Sequence, residues 1–159
     1  MTILVCPLSR VTETIRDHAP ERVVSLLDPG FDSPVLGPSY VNRHLRLSFH
    51  DIHKPAASLV MPAAKHVDHL LSFVMGWQRA KPILVHCRAG IGRSTAAAFI
   101  TACFYNRKAP EHEIALALRE IAPHARPNET LVRLADRVLE RGGRMIAAIA
   151  DTRPWVVAE

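Results

Sequence analysis

A cysteine and an arginine with five residues between them occupy a glycine-containing segment of the chain. Residues 86–94 read His-Cys-Arg-Ala-Gly-Ile-Gly-Arg-Ser, so the pair is Cys87 and Arg93. An apolar run at 83–85 precedes them and an apolar helical pattern follows, which predicts that the segment joins a strand to a helix. A helix N-terminus presents unpaired backbone N–H groups and the positive end of the helix dipole, and both stabilise an anion.

An anion site at this position favours a nucleophilic role for the cysteine. An ordinary thiol, with a pKa of about 8.5, is mostly protonated at neutral pH, whereas the thiolate is the nucleophile. Glycines let the backbone curl so that its N–H groups point inward, and an arginine fork matches two phosphate oxygens. Ser94 would donate to the sulfur, and His86 would order the loop. The predicted catalytic residues are Cys87, Arg93 and Ser94; the predicted phosphate ligands are Arg88, Ala89, Gly90, Ile91, Gly92 and Arg93.

A structural interpretation competes with this one. Cysteine is often a buried packing residue, and a glycine-rich turn between a strand and a helix can be purely architectural. A lone pair of Cys87 and Arg93 would fit both interpretations equally well. The preceding histidine, the two glycines, the following serine and the flanking elements favour the phosphate site.

Residues 86–94 resemble the H-C-x-x-G-x-x-R-[S/T] signature of the protein tyrosine phosphatase superfamily. The inner residues look like those of the tyrosine-specific enzymes, and the short chain looks like the compact dual-specificity group. Downstream, Arg126-Pro127-Asn128 resembles an element that opens a late helix in these phosphatases, which makes Asn128 a supporting residue of the site. The resemblance covers roughly residues 49–141. It implies an α/β fold with a central sheet and two-step hydrolysis through a cysteinyl-phosphate, without a metal or cofactor.

An upstream aspartate protonates the leaving oxygen in that superfamily. The candidates are Asp28, Asp32, Asp51 and Asp68. Asp68 lies in the middle of a predicted helix, and Asp28 and Asp32 lie in a turn-rich loop where aspartate is a common turn former. Asp51 directly follows a predicted strand and lies 36 residues before Cys87. It is therefore the preferred general acid, with Asp28 or Asp32 next.

Several substrate classes and functions remain open. Phosphotyrosine is the first choice, with dual specificity as an extension. Arg88 resembles the basic residue of phosphoinositide phosphatases, although Ile91 stands where those enzymes commonly carry a second lysine, so an inositide or another non-protein phosphate monoester is the alternative. A rhodanese-like sulfurtransferase or an arsenate reductase is a rival enzyme class. A phosphate-binding regulatory module is a third, although such proteins usually lose the cysteine or arginine, and both are present here.

The elements that must position the loop follow from hydrophobic periodicity and turn residues. Strands are predicted at 3–6, 22–27, 43–49 and 83–85, and helices at 12–18 (capped by Ser9), from Pro62 to 79, 93–105, 111–121 and 128–141. The type of segment 144–150 is left open. Strands alternating with helices predict a three-layer α/β domain, with a central, mostly parallel sheet flanked by helices. No linker or repeat divides it, so we expect one domain over 1–159.

Composition bounds the remaining possibilities. The 159 residues, 48% of them hydrophobic, suffice for a single core. Three widely spaced cysteines do not form a disulfide framework, which predicts reduced thiols in the cytoplasm. The net charge of +5 comes from scattered arginines with few aromatics, so we expect phosphorylated proteins or small phosphate monoesters as substrates and not nucleic acid. No membrane span and no zinc-ligand spacing are present in the sequence, and oligomeric state is not predicted.

Overall fold

The computed structural model describes residues 1–152, which form four strands and six helices. The strands are β1 (Ile3–Pro7), β2 (Arg22–Leu27), β3 (His44–Ser48) and β4 (Ile83–Cys87). The helices are α1 (Val11–His18), α2 (Ala64–Met75), α3 (Arg93–Tyr105), α4 (Glu111–Ile121), α5 (Glu129–Val138) and α6 (Arg144–Asp151). Two short 3₁₀ turns, Leu8–Arg10 and Pro38–Tyr40, precede α1 and β3.

The strands form one parallel sheet in the order β1-β4-β2-β3. All five residues of β4 are buried, as expected for a central strand covered on both faces. Helix α1 packs on one face through Val11 and Ile15, which join Val23 and Leu84 in a small apolar cluster. The larger core lies on the opposite face, beneath α2–α6. The predicted α/β layered fold is confirmed.

Helix α3 carries the arginine of the signature at its first position. Its sequence is apolar on nearly every side, and ten of its thirteen residues are buried. Small residues such as Ala96 and Ala97 let it lie close against β4 and β1. The strand, the loop and the helix therefore form one continuous buried unit.

Several predicted helix ends differ from the structure. Helix α2 begins at Ala64 and not at Pro62, because His66 Nδ1 accepts the Ala63 N–H and fixes the first turn there. Ser9 does not cap α1; it lies in the 3₁₀ turn Leu8–Arg10, after which α1 continues without a side-chain cap. Segment 144–150, whose type was left open, is helix α6.

Within residues 1–152, no helix is both long enough and apolar enough to cross a bilayer.

Candidate active site

The loop between β4 and α3 is anchored to the end of β1. The Leu8 N–H donates to the Arg88 carbonyl at 3.2 Å. Gly90 has a φ of +74°, and a Cβ at this position would lie 2.8 Å from the Pro7 nitrogen. Only glycine fits both the backbone conformation and the close approach. The glycine of the signature thus lets the loop lie directly against β1.

Cys87 ends β4 and is 2% exposed. Its Sγ accepts a hydrogen bond from the Gly90 N–H at 3.2 Å and lies 3.1 Å from the Ser94 hydroxyl. A thiolate accepts from both of these donors, and it faces the N-terminus of α3. The structure therefore brings together the predicted nucleophile and the serine predicted to donate to it.

Arg93 is almost completely buried and has an uneven set of partners. One terminal nitrogen donates both to Asp28 Oδ1 and to the Phe49 carbonyl, each at 2.6 Å. The Nε atom is also buried but has no hydrogen-bond partner among the residues that the structure describes. Unpaired buried donors are rare and costly, so this edge of the guanidinium marks a place for an anion.

Asp51, of the four candidate aspartates, lies over the phosphate loop. A Cβ built on Gly92 would be only 2.1 Å from Asp51 Oδ2, so this glycine makes room for the carboxylate. Asp28 is instead bonded to Arg93, while Asp32 and Asp68 are exposed elsewhere. Asp51 therefore lies beside the phosphate loop, and its role as the proton donor stays a prediction.

Asn128 connects Asp51 with the end of the loop. Its side-chain amide donates to Asp51 Oδ1 at 2.7 Å, and its Oδ1 accepts the Leu131 N–H as the cap of α5. Its own N–H donates to the Gly92 carbonyl at 3.1 Å, and the Arg126 N–H donates to the Ile91 carbonyl at 2.9 Å. One short segment therefore fixes both the loop and the aspartate.

His86 lies behind the loop and does not face the cleft. Its Nε2 is 2.5 Å from Ser25 Oγ, which is in turn 2.7 Å from His44 Nε2. The pKa of both histidines is lowered to about 4, mainly by burial, and the charge of Arg46 contributes to this at His44. Both rings are therefore neutral at pH 7. Sequence reasoning missed Ser25 and His44; the signal was a lone polar residue inside the apolar strand β2.

The rim of the site contains a pair of side chains that sequence reasoning did not identify together. The Arg88 guanidinium lies over the Phe31 ring, 5.7 Å from its centroid. Phe31 follows the Asp28 turn and remains 43% exposed. An aromatic surface and a positive charge therefore lie beside the phosphate loop.

His50 and His66 both accept backbone N–H groups. His50 Nδ1 accepts the Val60 N–H at 2.8 Å, and His66 serves the first turn of α2. Within residues 1–152, no three or more His, Cys, Asp or Glu side chains form a group that could hold a metal ion. All three cysteines are free and buried.

Comparison with known proteins gives one family match and several similar folds. A model of the protein-tyrosine phosphatase family matches residues 52–128. The fold is similar to that of PTPMT1 in complex with PI(5)P, with 16% identity, a TM-score of 0.65 and 94% of each chain covered. It is also similar to a human tyrosine phosphatase-like serine/threonine/tyrosine-interacting protein (16% identity, TM-score 0.66, 88% of this chain and 92% of that chain). A third similar structure is that of DUSP15 (15% identity, TM-score 0.64, 94% of this chain and 90% of that chain).

No curated protein sequence matches the chain significantly. The structural similarities establish the fold, and the family match includes the signature loop. The resemblance to the protein tyrosine phosphatase superfamily, predicted from the signature, is confirmed over this segment.

Proposed function

We propose that the protein is a cysteine-dependent phosphatase that hydrolyses phosphate monoesters through a cysteinyl-phosphate intermediate. The observation that carries this proposal is the buried Arg93 guanidinium, whose Nε lacks a partner within residues 1–152 beside the loop that holds Cys87. A phosphoryl group would accept from this Nε and from the loop N–H groups. Its binding would satisfy the donor that is otherwise unpaired.

In the first step, the Cys87 thiolate attacks phosphorus. The S–P bond forms while the bond from phosphorus to the ester oxygen breaks, and Asp51 gives its proton to that oxygen. Arg93 and the loop N–H groups meet the charge on the three phosphoryl oxygens, which is the main way such a transfer is accelerated. Asn128 holds the Asp51 carboxyl above the loop through the 2.7 Å bond.

In the second step, water attacks phosphorus and the S–P bond breaks. Asp51, now ionised, takes the proton from the water, and inorganic phosphate is released. The departing Cys87 sulfur regains its negative charge, which the Ser94 hydroxyl and the Gly90 N–H stabilise. The cycle leaves every residue in its starting state.

Phosphotyrosine is the substrate class that we propose first. Phe31, exposed beside the loop, offers an apolar face to an aryl ring. A phosphoinositide is the second candidate, because Arg88 adds a positive charge at the rim and the fold is similar to that of PTPMT1 in complex with PI(5)P. Because the mechanism requires a reduced Cys87, it favours a cytoplasmic setting.

The covalent mechanism is tested by Cys87→Ser, with Cys103→Ala as the matched control. Hydrolysis of para-nitrophenyl phosphate should fall at least about 1,000-fold for Cys87→Ser, since the nucleophile is lost. Cys103 is buried in α3 away from the loop, so Cys103→Ala should retain activity. Full activity of Cys87→Ser would refute the cysteinyl-phosphate route.

The role of Asp51 is tested with aryl phosphates of graded leaving-group pKa. Asp51→Asn should slow poor leaving groups strongly and spare activated ones, because only the former need a proton. Asp68→Asn, an exposed change on α2, is the control and should follow the wild-type dependence. If Asp51→Asn shows that same dependence, Asp51 is not the acid.

Substrate class is tested with wild-type protein on phosphotyrosyl, phosphoseryl and inositide substrates. Highest kcat/KM on phosphotyrosyl peptides supports the first choice, and highest kcat/KM on inositides supports the second. Inactivity on all three, with retained phosphate binding, would favour a regulatory module and overturn the proposed catalysis.

A further inference from the structure

A chain of polar side chains crosses the sheet behind the phosphate loop. His86 on β4, Ser25 on β2 and His44 on β3 lie on the face that α1 covers, where their neighbours Val23 and Leu84 are apolar. Ser25 is the strand partner of His86, and its hydroxyl is 2.5 Å from one imidazole and 2.7 Å from the other. The polar chain therefore starts one residue before the nucleophile and ends at the edge strand.

The number of protons in this chain restricts its hydrogen bonds. A serine hydroxyl has one proton, so Ser25 can donate to only one of the two Nε2 atoms. Both rings are neutral at pH 7 because burial lowers their pKa to about 4. Either both rings donate to Ser25 Oγ through Nε2, or Ser25 donates to one ring while the other carries its proton on Nε2 and donates to Ser25. In the second arrangement the two histidines hold opposite tautomers.

The direction of donation follows from the two remaining ring nitrogens. Neither Nδ1 has a hydrogen bond of ordinary geometry within residues 1–152. The His86 ring nevertheless makes a weaker hydrogen bond to the Cys87 backbone, and because Nε2 is engaged by Ser25 this contact belongs to Nδ1. It partly offsets the lowering of the His86 pKa by burial, as donation to a carbonyl does, which selects the second arrangement. At His44, a bare lone pair costs less than an orphaned N–H. Assigned from this network, His44 donates to Ser25, Ser25 donates to His86, and the His86 proton lies on Nδ1.

We propose that Ser25 and His44 are positioning residues for the phosphate loop, because they place the His86 proton on Nδ1, where it faces the Cys87 backbone. In a planar trans peptide the C=O and the next N–H point in opposite directions. A Cys87 carbonyl held toward His86 therefore turns the Arg88 N–H toward the anion site. His44, on the edge strand, therefore affects the orientation of the peptide that follows Cys87 without contacting the substrate.

The groups around this chain limit how it is tested. Arg46 follows on β3, Cys6 pairs with His86 from β1, and Tyr40 borders His44 from the 3₁₀ turn. Arg46 is exposed and lowers the pKa of His44 by its charge, without a hydrogen bond to the chain. Arg46→Gln is therefore a control that changes local charge and leaves both hydrogen bonds in place.

The tautomers are read directly by a long-range ¹H–¹⁵N NMR spectrum of histidine-labelled, full-length protein at pH 7. The His86 signals are assigned by their loss in His86→Gln. We expect His86 to be protonated on Nδ1 and His44 on Nε2. The reverse pattern would overturn the proposal. This measurement needs no activity, so its result is independent of the proposed function.

The effect on the loop rests on the proposed function and is tested with His44→Phe and His44→Gln. Phe keeps the ring but removes the bond to Ser25, whereas a Gln amide can still donate. For His44→Phe we expect mixed His86 tautomers, a shift of Cys87 alkylation by iodoacetate to higher pH, and kcat/KM lowered about 10-fold, as when histidine-orienting partners are removed elsewhere.

His44→Gln should recover most of the alkylation profile, and Arg46→Gln should match wild type. A His44→Phe variant with the wild-type tautomer and alkylation profile would overturn the proposal. So would a His44→Gln variant as defective as His44→Phe. If His44→Phe does not fold, the wild-type NMR pattern together with His44→Gln still decides.

Discussion

Arg93 and Arg141 are both buried arginines that pair with a carboxylate, yet they differ in what remains of their hydrogen-bonding capacity. Arg141 donates to Glu111 at 2.7 Å and to the Cys103 carbonyl at 2.6 Å, using two different nitrogens. Arg93 makes both of its bonds from one nitrogen and leaves Nε buried and unpaired within the described residues. The first arginine is satisfied by the fold; the second is incomplete without a ligand.

Their carboxylate partners differ in the same direction. The Glu111 side chain is 7% exposed and also accepts from Arg144. Asp28 is 32% exposed, so water competes for its charge. A buried ion pair whose arginine is bonded through two nitrogens indicates a structural role. An ion pair whose arginine keeps a buried, unpaired donor indicates a binding site. The two pairs should therefore respond oppositely to mutation.

Replacing Arg93 should remove activity and leave stability almost unchanged. Arg93→Ala should lower kcat/KM for para-nitrophenyl phosphate about 1,000-fold or more, because the transition-state charge loses its bidentate partner. The free energy of unfolding in urea should change by no more than about 1 kcal/mol, since a buried donor that was never satisfied is also removed. Arg93→Lys is the control for charge and should remain strongly impaired, because lysine lacks the fork. Near-wild-type turnover of either variant would contradict the assignment of Arg93 to the binding site.

Replacing Arg141 should have the opposite result. Arg141→Met leaves the Glu111 carboxylate buried with only Arg144 beside it, which should cost roughly 3 kcal/mol in the free energy of unfolding. Turnover per folded molecule should stay at the wild-type level. Adding Glu111→Leu should restore much of the stability, because the uncompensated charge is gone. Loss of turnover in fully folded Arg141→Met would show that this pair also serves the site.

Acid should weaken the structural pair. Burial raises the pKa of Glu111, but the hydrogen bonds from Arg141 and Arg144 outweigh this effect, so the pKa lies below its usual value of 4.5. Because the folded-state pKa is below the unfolded value, the stabilisation is complete above pH 4.5 and is lost as the pH falls through the folded-state pKa. Urea unfolding measured from pH 7 to pH 3 should show this loss. It should diminish in Glu111→Gln and persist in Glu113→Gln, an exposed neighbour on α4.

The smallest effect is expected at Asp28. Asp28→Asn keeps an oxygen that can accept from Arg93 but removes the negative charge. The guanidinium should therefore stay in place, with a weaker hydrogen bond to residue 28. We expect kcat/KM to fall by a few-fold, about 1 kcal/mol, with unchanged stability. Asp32→Asn, four residues along the same loop, is the control. A loss of kcat/KM as large as that of Arg93→Ala would show that Asp28 is a catalytic residue and not one that only positions Arg93.

The sequence predicted the parts of the molecule whose signals are local. The apolar strand before Cys87 and the apolar helix after it were predicted from periodicity, and α3 begins and ends where predicted. The loop itself follows from a short motif in which each residue type has a physical reason. Asp51 was preferred because it comes just after the predicted strand 43–49, and the structure places its carboxylate over Gly92.

The missed contacts join residues that are distant in sequence. Asp28 and Arg93 are separated by 65 positions, and Ser25 meets His86 across 61. No periodicity or turn signal encodes such pairings, because they depend on strand order and register. The cap of α1 and the start of α2 were misplaced for a different reason. Ser9 and Pro62 are good local start signals, but Ser9 lies in a 3₁₀ turn, and the His66 bond to Ala63 sets the start of α2.

The hydrogen bond between Asn128 and Asp51 joins residues that are 77 positions apart, so it can form only late in synthesis of the chain. On a ribosome the strands, Cys87 and most of α3 emerge before residue 128 does. A nascent chain can therefore form the sheet early, but its aspartate is fixed above the loop only when the start of α5 arrives. At about 5–20 residues per second, the interval between the emergence of Cys87 and that of Asn128 is on the order of seconds. The proposed active site would thus be complete only after residue 128 has emerged.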